Sequence, residues 1–180
     1  MKVKYTFYIV GVGGTGSLFA RDLPQLLIGT NHQMVLIDGD IVAKKNVARQ
    51  SYQLQDVGLN KAIALAKKIN SFYDIQCEAI DKYITLNELA ERIKKDSSVP
   101  VIVGCVDNDA TRKLLEETFK KQKAAVYIDS ANSAYSGNVF VTVKSNKDIH
   151  GKLRSEVYDL KSQPIRVVKN TYLKGIYSIW

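Results

Sequence analysis

Residues 10–20 read Val-Gly-Val-Gly-Gly-Thr-Gly-Ser-Leu-Phe-Ala, and the strand-like run 4–10 leads directly into them. Three glycines spaced as Gly-x-Gly-x-x-Gly separate this strand from a helix-like segment, the order in which phosphates sit on a helix N-terminus. Glycine provides the tight turn, the close approach of backbone to phosphate, and the packing of helix on strand. The stretch predicts a nucleotide site whose phosphate-binding turn contains Gly11, Gly13, Gly14, Gly16 and Ser17.

Acidic residues follow two further strand-like runs. The run 34–37 ends in Asp38-Gly39-Asp40, and the almost continuously apolar run 99–106 ends before Asp107. A carboxylate at the tip of the second strand can accept hydrogen bonds from ribose hydroxyls. Since ligands of such sheets bind outside the carboxyl ends of the strands, the glycine turn and these acids are expected to converge at one edge.

Polar residues after the second strand narrow the choice of nucleotide. The ordered motifs are Asp38-x-Asp40-x-Val42, Asn46-x-x-Arg49-Gln50, Val57-Gly58-x-x-Lys61-Ala62 and Gly104-Cys105-Val106-Asp107-Asn108. Together they resemble the ThiF/HesA/MoeB family, whose fold is shared by the activating enzymes of ubiquitin-like proteins. The resemblance covers roughly residues 6–144, and the ordered set is much more specific than any one motif.

The resemblance implies ATP as the nucleotide and Mg2+ as its metal. It gives Arg49 and Lys61 to the triphosphate, where they would offset charge on departing pyrophosphate. Asp38 and Asp40 belong to the nucleotide site, and Asn46 and Gln50 would position phosphates or substrate. Asp107 would hold Mg2+, a hard cation that favours carboxylate, water and phosphate oxygens. The catalytic set is therefore Arg49, Lys61 and Asp107.

The reaction implied is adenylation, in which a substrate carboxylate attacks the α-phosphorus and pyrophosphate leaves. In the family the carboxylate is usually the C-terminal glycine of a ubiquitin-like or sulfur-carrier protein, and a homodimer is expected. This chain has no CxxC pairs for the structural zinc of many relatives, so no zinc is expected. No cysteine follows Cys105, so the interpretation is adenylation only, without thiol transfer.

Each of these residues also has a simpler interpretation. Arg49 and Lys61 could be solvated surface charges, and Asp40 could cap a turn. Asn46 could stabilise its own loop through side-chain-to-backbone bonds. Asp107-Asn108 could only begin the next helix. Arg112 lies within that helix, where it could pair with Glu116, and it is left out of the core site.

Two other functions remain open. A nicotinamide- or flavin-dependent oxidoreductase fits the glycine turn and Asp38 equally well, but it leaves Arg49, Lys61 and Asp107 unexplained. A non-catalytic ATP-binding or dimerising scaffold of the same family fits the missing cysteine. That scaffold also fits the missing N-terminal helix from which relatives supply an arginine to a dimer partner, because here the first strand begins almost at Met1.

The segments alternate between strand and helix patterns, which predicts an α/β, Rossmann-like fold: a mostly parallel sheet, helices on both faces and a C-terminal antiparallel extension. Residues 1–144 are assigned to an ATP-binding adenylation domain and 145–180 to a tail, part of that domain or an interface segment. The predicted strands are 4–10, 33–38, 75–80, 99–106, 124–129 and 137–143. The predicted helices are 16–28, 60–72 with Asn60 as N-cap, 86–95, and one from Asn108 or Asp109 to about 122. In the first, Pro24 is expected to end the helix early or to kink it, and the apolar stripe is Leu18, Phe19, Leu23, Leu26 and Leu27. In the second, Ile63 is expected on or near the inner face. The tail ends in the apolar run Ile176–Trp180.

Composition places the chain among ordinary globular proteins. It has 180 residues, 46% hydrophobic and 24% charged, which suits one domain. The net charge of +8 raises nucleic acid as a partner, but the lysines are scattered, which argues against it. An acidic partner protein fits the excess charge better than nucleic acid does, and an ordinary solvated surface fits it better than either. No apolar run approaches the ~20 residues of a membrane span and no signal peptide is visible, so no membrane association and a cytoplasmic location are expected.

Overall fold

A computed structural model of the chain describes residues 3–133 and 135–161. Seven strands form one sheet: β1 (Tyr5–Val10), β2 (Gln33–Ile37), β3 (Gln76–Ile80), β4 (Val99–Gly104), β5 (Ala124–Asn132), β6 (Gly137–Ser145) and β7 (Asp148–His150). The helices are α1 (Gly14–Asp22), α2 (Pro24–Leu27), α3 (Lys61–Phe72), α4 (Leu86–Lys94) and α5 (Asp109–Lys121). Short 3₁₀ turns occur at Lys44–Asn46, Leu54–Asp56 and Arg154–Glu156.

The strand order is β3-β2-β1-β4-β5-β6-β7. Strands β1 to β5 are parallel, whereas β6 and β7 pair in antiparallel fashion at the far edge. This arrangement confirms the predicted Rossmann-like fold and its C-terminal antiparallel extension. The order reverses between β1 and β4, the position at which doubly wound sheets bind ligands.

Helices cover both faces of the sheet because side chains alternate along each strand. On one face Ile9 and Leu36 pack in a cluster with Leu65 and Ile69 of α3. On the other face Tyr8 and Ile102 lie in a cluster with side chains of α4 and α5, including Leu89, Leu115 and Phe119. Each such fully buried side chain contributes about 1.5–3 kcal/mol relative to an exposed one. The two clusters hold β1, β2 and β4 in the centre of the molecule.

The helix predicted over 16–28 ends early, as expected from Pro24, but a second helix that was not predicted begins there. Helix α1 ends at Asp22, and Pro24 is the first residue of α2, where its missing N–H costs no hydrogen bond. The predicted apolar stripe also fails in part, because Leu18 is 41% and Leu26 78% exposed. Only Leu23 and Leu27 of that stripe are fully buried.

The predicted helix starts agree with the structure. Asn60 caps α3, and its side chain accepts a hydrogen bond from the backbone N–H of Ile63 at 3.1 Å. Asn108 caps α5 by accepting from the N–H of Thr111 at 2.8 Å. Strand β4 is shorter than predicted and ends at Gly104, whereas β5 is longer and reaches Asn132. Ile63, predicted near the inner face of α3, is 44% exposed.

After β6 the chain forms β7 and then packs against the rest of the domain as far as the structure describes it. Strand β7 was not predicted, and Leu153 and Leu160 are buried. The predictions made for residues 162–180, including the apolar end at Ile176–Trp180, lie outside the described residues. The domain boundary at 144 stays a prediction. Within the described part of the chain, no helix has the length and apolarity needed to cross a membrane.

Candidate functional site

A cavity of about 580 Å³ lies outside the carboxyl ends of β1, β2, β4 and β5. It spans the position at which the strand order reverses. The parallel strands deliver the glycine turn, Asp38 and Asp107 to its walls, although these residues are far apart in sequence. Most of the predicted site residues line this cavity: Gly11, Gly13, Gly14, Asp38, Asp40, Asn46, Arg49, Gln50, Lys61 and Asp107.

The glycines of the turn differ in the space that an added Cβ atom would have. Gly11 has φ +83°, and a Cβ there would lie 2.8 Å from the carbonyl oxygen of Cys105. A Cβ at Gly16 would lie 1.9 Å from the carbonyl oxygen of Gly11, so α1 packs directly on the turn. By contrast, a Cβ at Gly14 would meet nothing within 4 Å. Gly11 and Gly16 therefore shape the turn, whereas Gly13 and Gly14 form the open cavity wall beside the N-terminus of α1.

Ser17, predicted to bind phosphate, lies behind this wall. It is fully buried, and its N–H donates to the carbonyl of Gly13 at 3.1 Å. Its hydroxyl donates to the carbonyl of Gly14 and accepts from the N–H of Ser51 at 3.1 Å. The structure brings neither Ser17 nor Gly16 to the cavity lining. What Ser17 does is tie the glycine turn to the segment that contains Gln50.

Asp38 ends β2 and holds the glycine turn from the other side. One carboxylate oxygen accepts from the N–H of Val12 at 2.8 Å, and the other accepts from the N–H of Asp40 at 2.8 Å. The side chain is half-buried, and burial raises the pKa of this carboxyl despite these two bonds. Each oxygen keeps a second lone pair for a donor such as a ribose hydroxyl.

Lys61 and Asp40 form an ion pair at the cavity wall. The ammonium nitrogen of Lys61 lies 2.8 Å from Oδ2 of Asp40, and its side chain is only 8% exposed. The other carboxylate oxygen of Asp40 accepts from the hydroxyl of Tyr83. The backbone repeats this connection, because the N–H of Lys61 donates to the carbonyl of Asp40 at 2.9 Å. Lys61 is therefore fixed at the cavity wall by its ion pair with Asp40 and is not a solvated surface charge.

The loop after β2 adds two exposed cations and two amides to the cavity. Arg49 and Lys45 line it, and neither makes an ion pair with any residue that the structure describes. Asn46 is buried, and its Oδ1 accepts from the N–H of Ala43 at 2.8 Å, which stabilises the loop. Oε1 of Gln50 is buried and has no hydrogen-bond partner within residues 3–133 and 135–161. Such an unpartnered buried group is the kind that a bound ligand satisfies.

Asp107 and its neighbours close the cavity on the β4 side. Asp107 follows β4, is exposed and lines the cavity, while the next residue, Asn108, caps α5. The cap is thus made by Asn108, which leaves the carboxylate of Asp107 at the cavity. Cys105, predicted inside the buried strand, is half-buried in the cavity wall after β4, and burial raises the pKa of its thiol.

Sequence reasoning missed a buried charge network beside the cavity. Arg112 does not pair with Glu116 as considered; its Nε lies 3.4 Å from Asp129, and its Nη2 donates to the carbonyl of Val106. Asp129 also binds Arg154, whose Nε lies 2.6 Å from its Oδ2. The position of Asp129 late in a strand resembles that of Asp38 and was an available signal. Arg154 belongs to no motif and gave none.

The residues present suit a nucleotide triphosphate with a hard cation. The open glycine wall gives phosphates access to the N-terminus of α1, and Arg49 and Lys61 carry positive charge beside it. Mg2+ is commonly held by one or two carboxylates together with substrate phosphates, a role that Asp107 can fill alone. Among the described residues no group of three or more His, Cys, Asp or Glu side chains is placed to hold a metal.

Comparison with known families gives one broad match. The sequence model of the ThiF family matches residues 3–173 of this chain. The chain is 31% identical over 149 residues to ubiquitin-like modifier-activating enzyme 5 of Branchiostoma floridae, an alignment that covers 76% of this chain and 36% of that protein. The enzyme of the same name from Xenopus laevis is 30% identical, with 75% and 36% covered. The chain thus spans about a third of the length of these relatives.

A solved structure also shares this fold. The crystal structure of E. coli tRNA N6-threonylcarbamoyladenosine dehydratase, TcdA, in complex with AMP superposes with a TM-score of 0.54 at 25% sequence identity. The superposition covers 64% of this chain and 46% of that one. A protein of similar fold therefore binds an adenine nucleotide.

Proposed function

The chain belongs to the ThiF family, and on that premise we propose that it binds ATP with Mg2+ and transfers the adenylyl group to a substrate carboxylate. The observation that carries the proposal is one cavity that joins an open glycine wall, two cations and two strand-end carboxylates. A NAD-dependent dehydrogenase whose ribose is bound by Asp38 leaves Arg49 and Lys61 beside the glycine wall without a role. An enzyme that binds a triphosphate uses both cations to offset its charge.

The roles follow from the geometry and chemistry of the cavity. Backbone N–H groups at Gly13 and Gly14 bind phosphate, and Asp38 accepts from the ribose. Arg49 and Lys61 stabilise the charge that grows on pyrophosphate as the carboxylate attacks the α-phosphorus. Asp107 would hold Mg2+, which when bound would further neutralise the phosphates. Orientation and charge neutralisation thus account for most of the acceleration.

The carboxylate is proposed to be the C-terminal glycine of a ubiquitin-like or sulfur-carrier protein. The similarity to ubiquitin-like modifier-activating enzymes supports a partner of this kind. The homodimer expected from the family resemblance and the cytoplasmic location stay predictions. That the reaction stops at the adenylate, without thiol transfer, stays a prediction.

Ligand-dependent thermal unfolding tests the nucleotide site. The panel contains ATP with Mg2+, ATP with a chelator, NAD, NADP and FAD. A ligand at a hundred times its Kd adds ~2.7 kcal/mol to the free energy of unfolding, which raises Tm by several degrees. We expect a shift with ATP and Mg2+ only. A shift with NAD or FAD would assign the cavity to an oxidoreductase. No shift at all would favour a scaffold that does not bind nucleotide, or a site that only a partner completes.

Three variants assign the residues in the same assay. Arg49→Ala and Lys61→Ala should each lower ATP affinity while the ligand-free protein stays folded. Asp107→Asn should remove the difference between ATP with Mg2+ and ATP with chelator. Unchanged affinity in both cation variants would remove them from the site, and a wild-type response to Mg2+ in Asp107→Asn would remove Asp107. Pyrophosphate exchange with a carboxylate-bearing partner then tests the chemical step.

A further inference from the structure

Tyr83 lies in the loop between β3 and α4 and reaches across to the end of β2. Its hydroxyl donates to Oδ1 of Asp40, and its ring covers Gly39, where a Cβ would lie 2.6 Å from Cδ2 of the ring. Tyr83 also lines the cavity. No motif in the sequence pointed to it, and the proposed function assigns it no role. Its contacts connect it to the acidic pair that follows β2.

The loop that carries Tyr83 is held at both sides. Ile84 is buried in the core under α4, and Thr85 caps α4 through reciprocal hydrogen bonds with Glu88. Lys82 forms an ion pair with Glu88. Since the residues on both sides of it are fixed, the hydroxyl of Tyr83 is a positioned donor rather than one that happens to reach Asp40.

Lys61 needs a fixed anion. It is the first residue of α3, where the helix dipole disfavours a cation, and the first turn of α3 contains no acidic residue. Its side chain is 8% exposed, so water compensates its charge poorly. Asp40 supplies the negative charge at 2.8 Å. Because the carboxylate of Asp40 is 46% exposed, burial alone does not set its orientation.

We propose that Tyr83 is a positioning residue that acts through Asp40 on Lys61. The Tyr83 hydroxyl fixes one oxygen of the Asp40 carboxylate, so the other oxygen holds the Lys61 ammonium at the cavity wall, preorganised for a phosphate group. The inference rests on the proposed function for the identity of that group, a triphosphate oxygen. The set of contacts from Tyr83 through Asp40 to Lys61, here called the relay, is present in the nucleotide-free protein and can be measured without a nucleotide.

The first test measures the reactivity of Lys61 in the nucleotide-free protein. Acetic anhydride is added in trace amount, and the acetylation rate of each lysine is read by mass spectrometry. Tyr83→Phe keeps the ring on Gly39 and removes the hydroxyl, so Lys61 should react about three- to tenfold faster, the range expected for one lost hydrogen bond. Asp40→Asn should raise the rate further. An unchanged rate in Tyr83→Phe would overturn the relay.

Two controls accompany this measurement. Tyr135→Phe removes a phenol hydroxyl from a fully exposed side chain and should leave the Lys61 rate unchanged. Lys68, paired with Asp56 away from Tyr83, is the internal reference and should react equally in every variant. A parallel rise at Lys68 would indicate general loosening of the fold and would count against the relay.

A double-mutant cycle on ATP affinity is the second test. Tyr83→Phe should weaken ATP binding about three- to tenfold in the wild-type background and have no effect in the Lys61→Ala background. An equal loss in both backgrounds would show that Tyr83 does not act through Lys61 and would overturn the proposal. If the wild-type protein binds no ATP, the proposed function fails, and the acetylation rates alone decide whether the relay exists.

Discussion

Asp38 shows how one carboxylate can serve both the fold and the proposed nucleotide site. It accepts from the N–H groups of Val12 and Asp40, and so it connects β2 to the glycine turn and to the next loop. Burial raises the pKa of this carboxyl. The folded state therefore binds the proton more tightly than the unfolded state does. By linkage, the free energy of unfolding that Asp38 contributes must fall as pH rises from its unfolded pKa, about 3.9, through its folded pKa.

Asp38→Asn tests this sign. Urea unfolding of wild type and variant across pH 4 to 7 gives the difference in free energy of unfolding. We expect the wild type to lose stability relative to the variant as pH rises through this window, because only the wild type must ionise a half-buried carboxyl. The part of this free-energy difference that does not change with pH measures the loss of a carboxylate oxygen as hydrogen-bond acceptor. Only its slope with pH measures the titration of Asp38. A difference that is flat with pH, or that rises, would contradict the raised pKa.

The location of residues within the ordered motifs was predictable, because their short spacing from a strand determines the strand end at which they lie. The glycine turn, Asp38 and Asp107 needed only the rule that parallel strands end at one edge. Tyr83, Arg112 and their partners depend on side chains brought together from distant segments. Lys61 was predicted at the cavity, yet its pairing with Asp40 was not, since the sequence does not reveal which of two nearby acids a lysine will reach.

The glycine turn and α1 together control access to the proposed phosphate site. Gly16→Ala places a methyl group against the carbonyl oxygen of Gly11, 1.9 Å away, so α1 must move off the turn. Overpacking of this kind costs about 1–3 kcal/mol and should lower Tm by several degrees. Gly14→Ala places its methyl group in open space and should leave Tm near that of the wild type. ATP affinity should fall in the Gly14 variant, because the methyl group occupies the cavity wall.

Gly14→Ala and Gly16→Ala are matched, since both add one methyl group within the same turn. Thermal unfolding without ligand and ATP titration separate their effects. A Gly14 variant that binds ATP as tightly as wild type would remove this wall from the phosphate site. A Gly16 variant with wild-type Tm would show that α1 can shift on the turn without cost.

Most elements could be predicted from local patterns, and the exceptions have local causes. Asn60 and Asn108 act as N-caps as the sequence suggested, because their side chains reach the backbone N–H three residues on. Pro24 was recognised as a helix breaker, but its ability to start a new helix at once was not. Strand β7 has three residues, too few for alternation to be visible in the sequence.

At the scale of the whole molecule, a buried charge network joins the segment after β7 to the sheet. Arg154 reaches Asp129 at the end of β5, and Ser155 donates to Glu116 on α5. Arg112 then connects the same carboxylate of Asp129 to the carbonyl oxygens of Val106 and Ser130 at the cavity wall. The segment after β7 is thus coupled to the site through charges that no local pattern in the sequence predicts.

Arg154→Ala should destabilise the whole molecule, because Asp129 is fully buried and, of its two ion pairs among the described residues, only the longer one to Arg112 would remain. Breaking a buried pair costs about 3–5 kcal/mol, since the remaining charge is poorly compensated. The matched control is Arg21→Ala, which removes an exposed ion pair with Asp22 and should leave the free energy of unfolding near that of the wild type. Urea unfolding of both variants measures the difference, and limited trypsin digestion should cut faster at Lys152 only in Arg154→Ala. Equal losses of stability in the two variants would mean that the Arg154 contact contributes no more than a surface pair, and that other contacts hold the segment on the sheet.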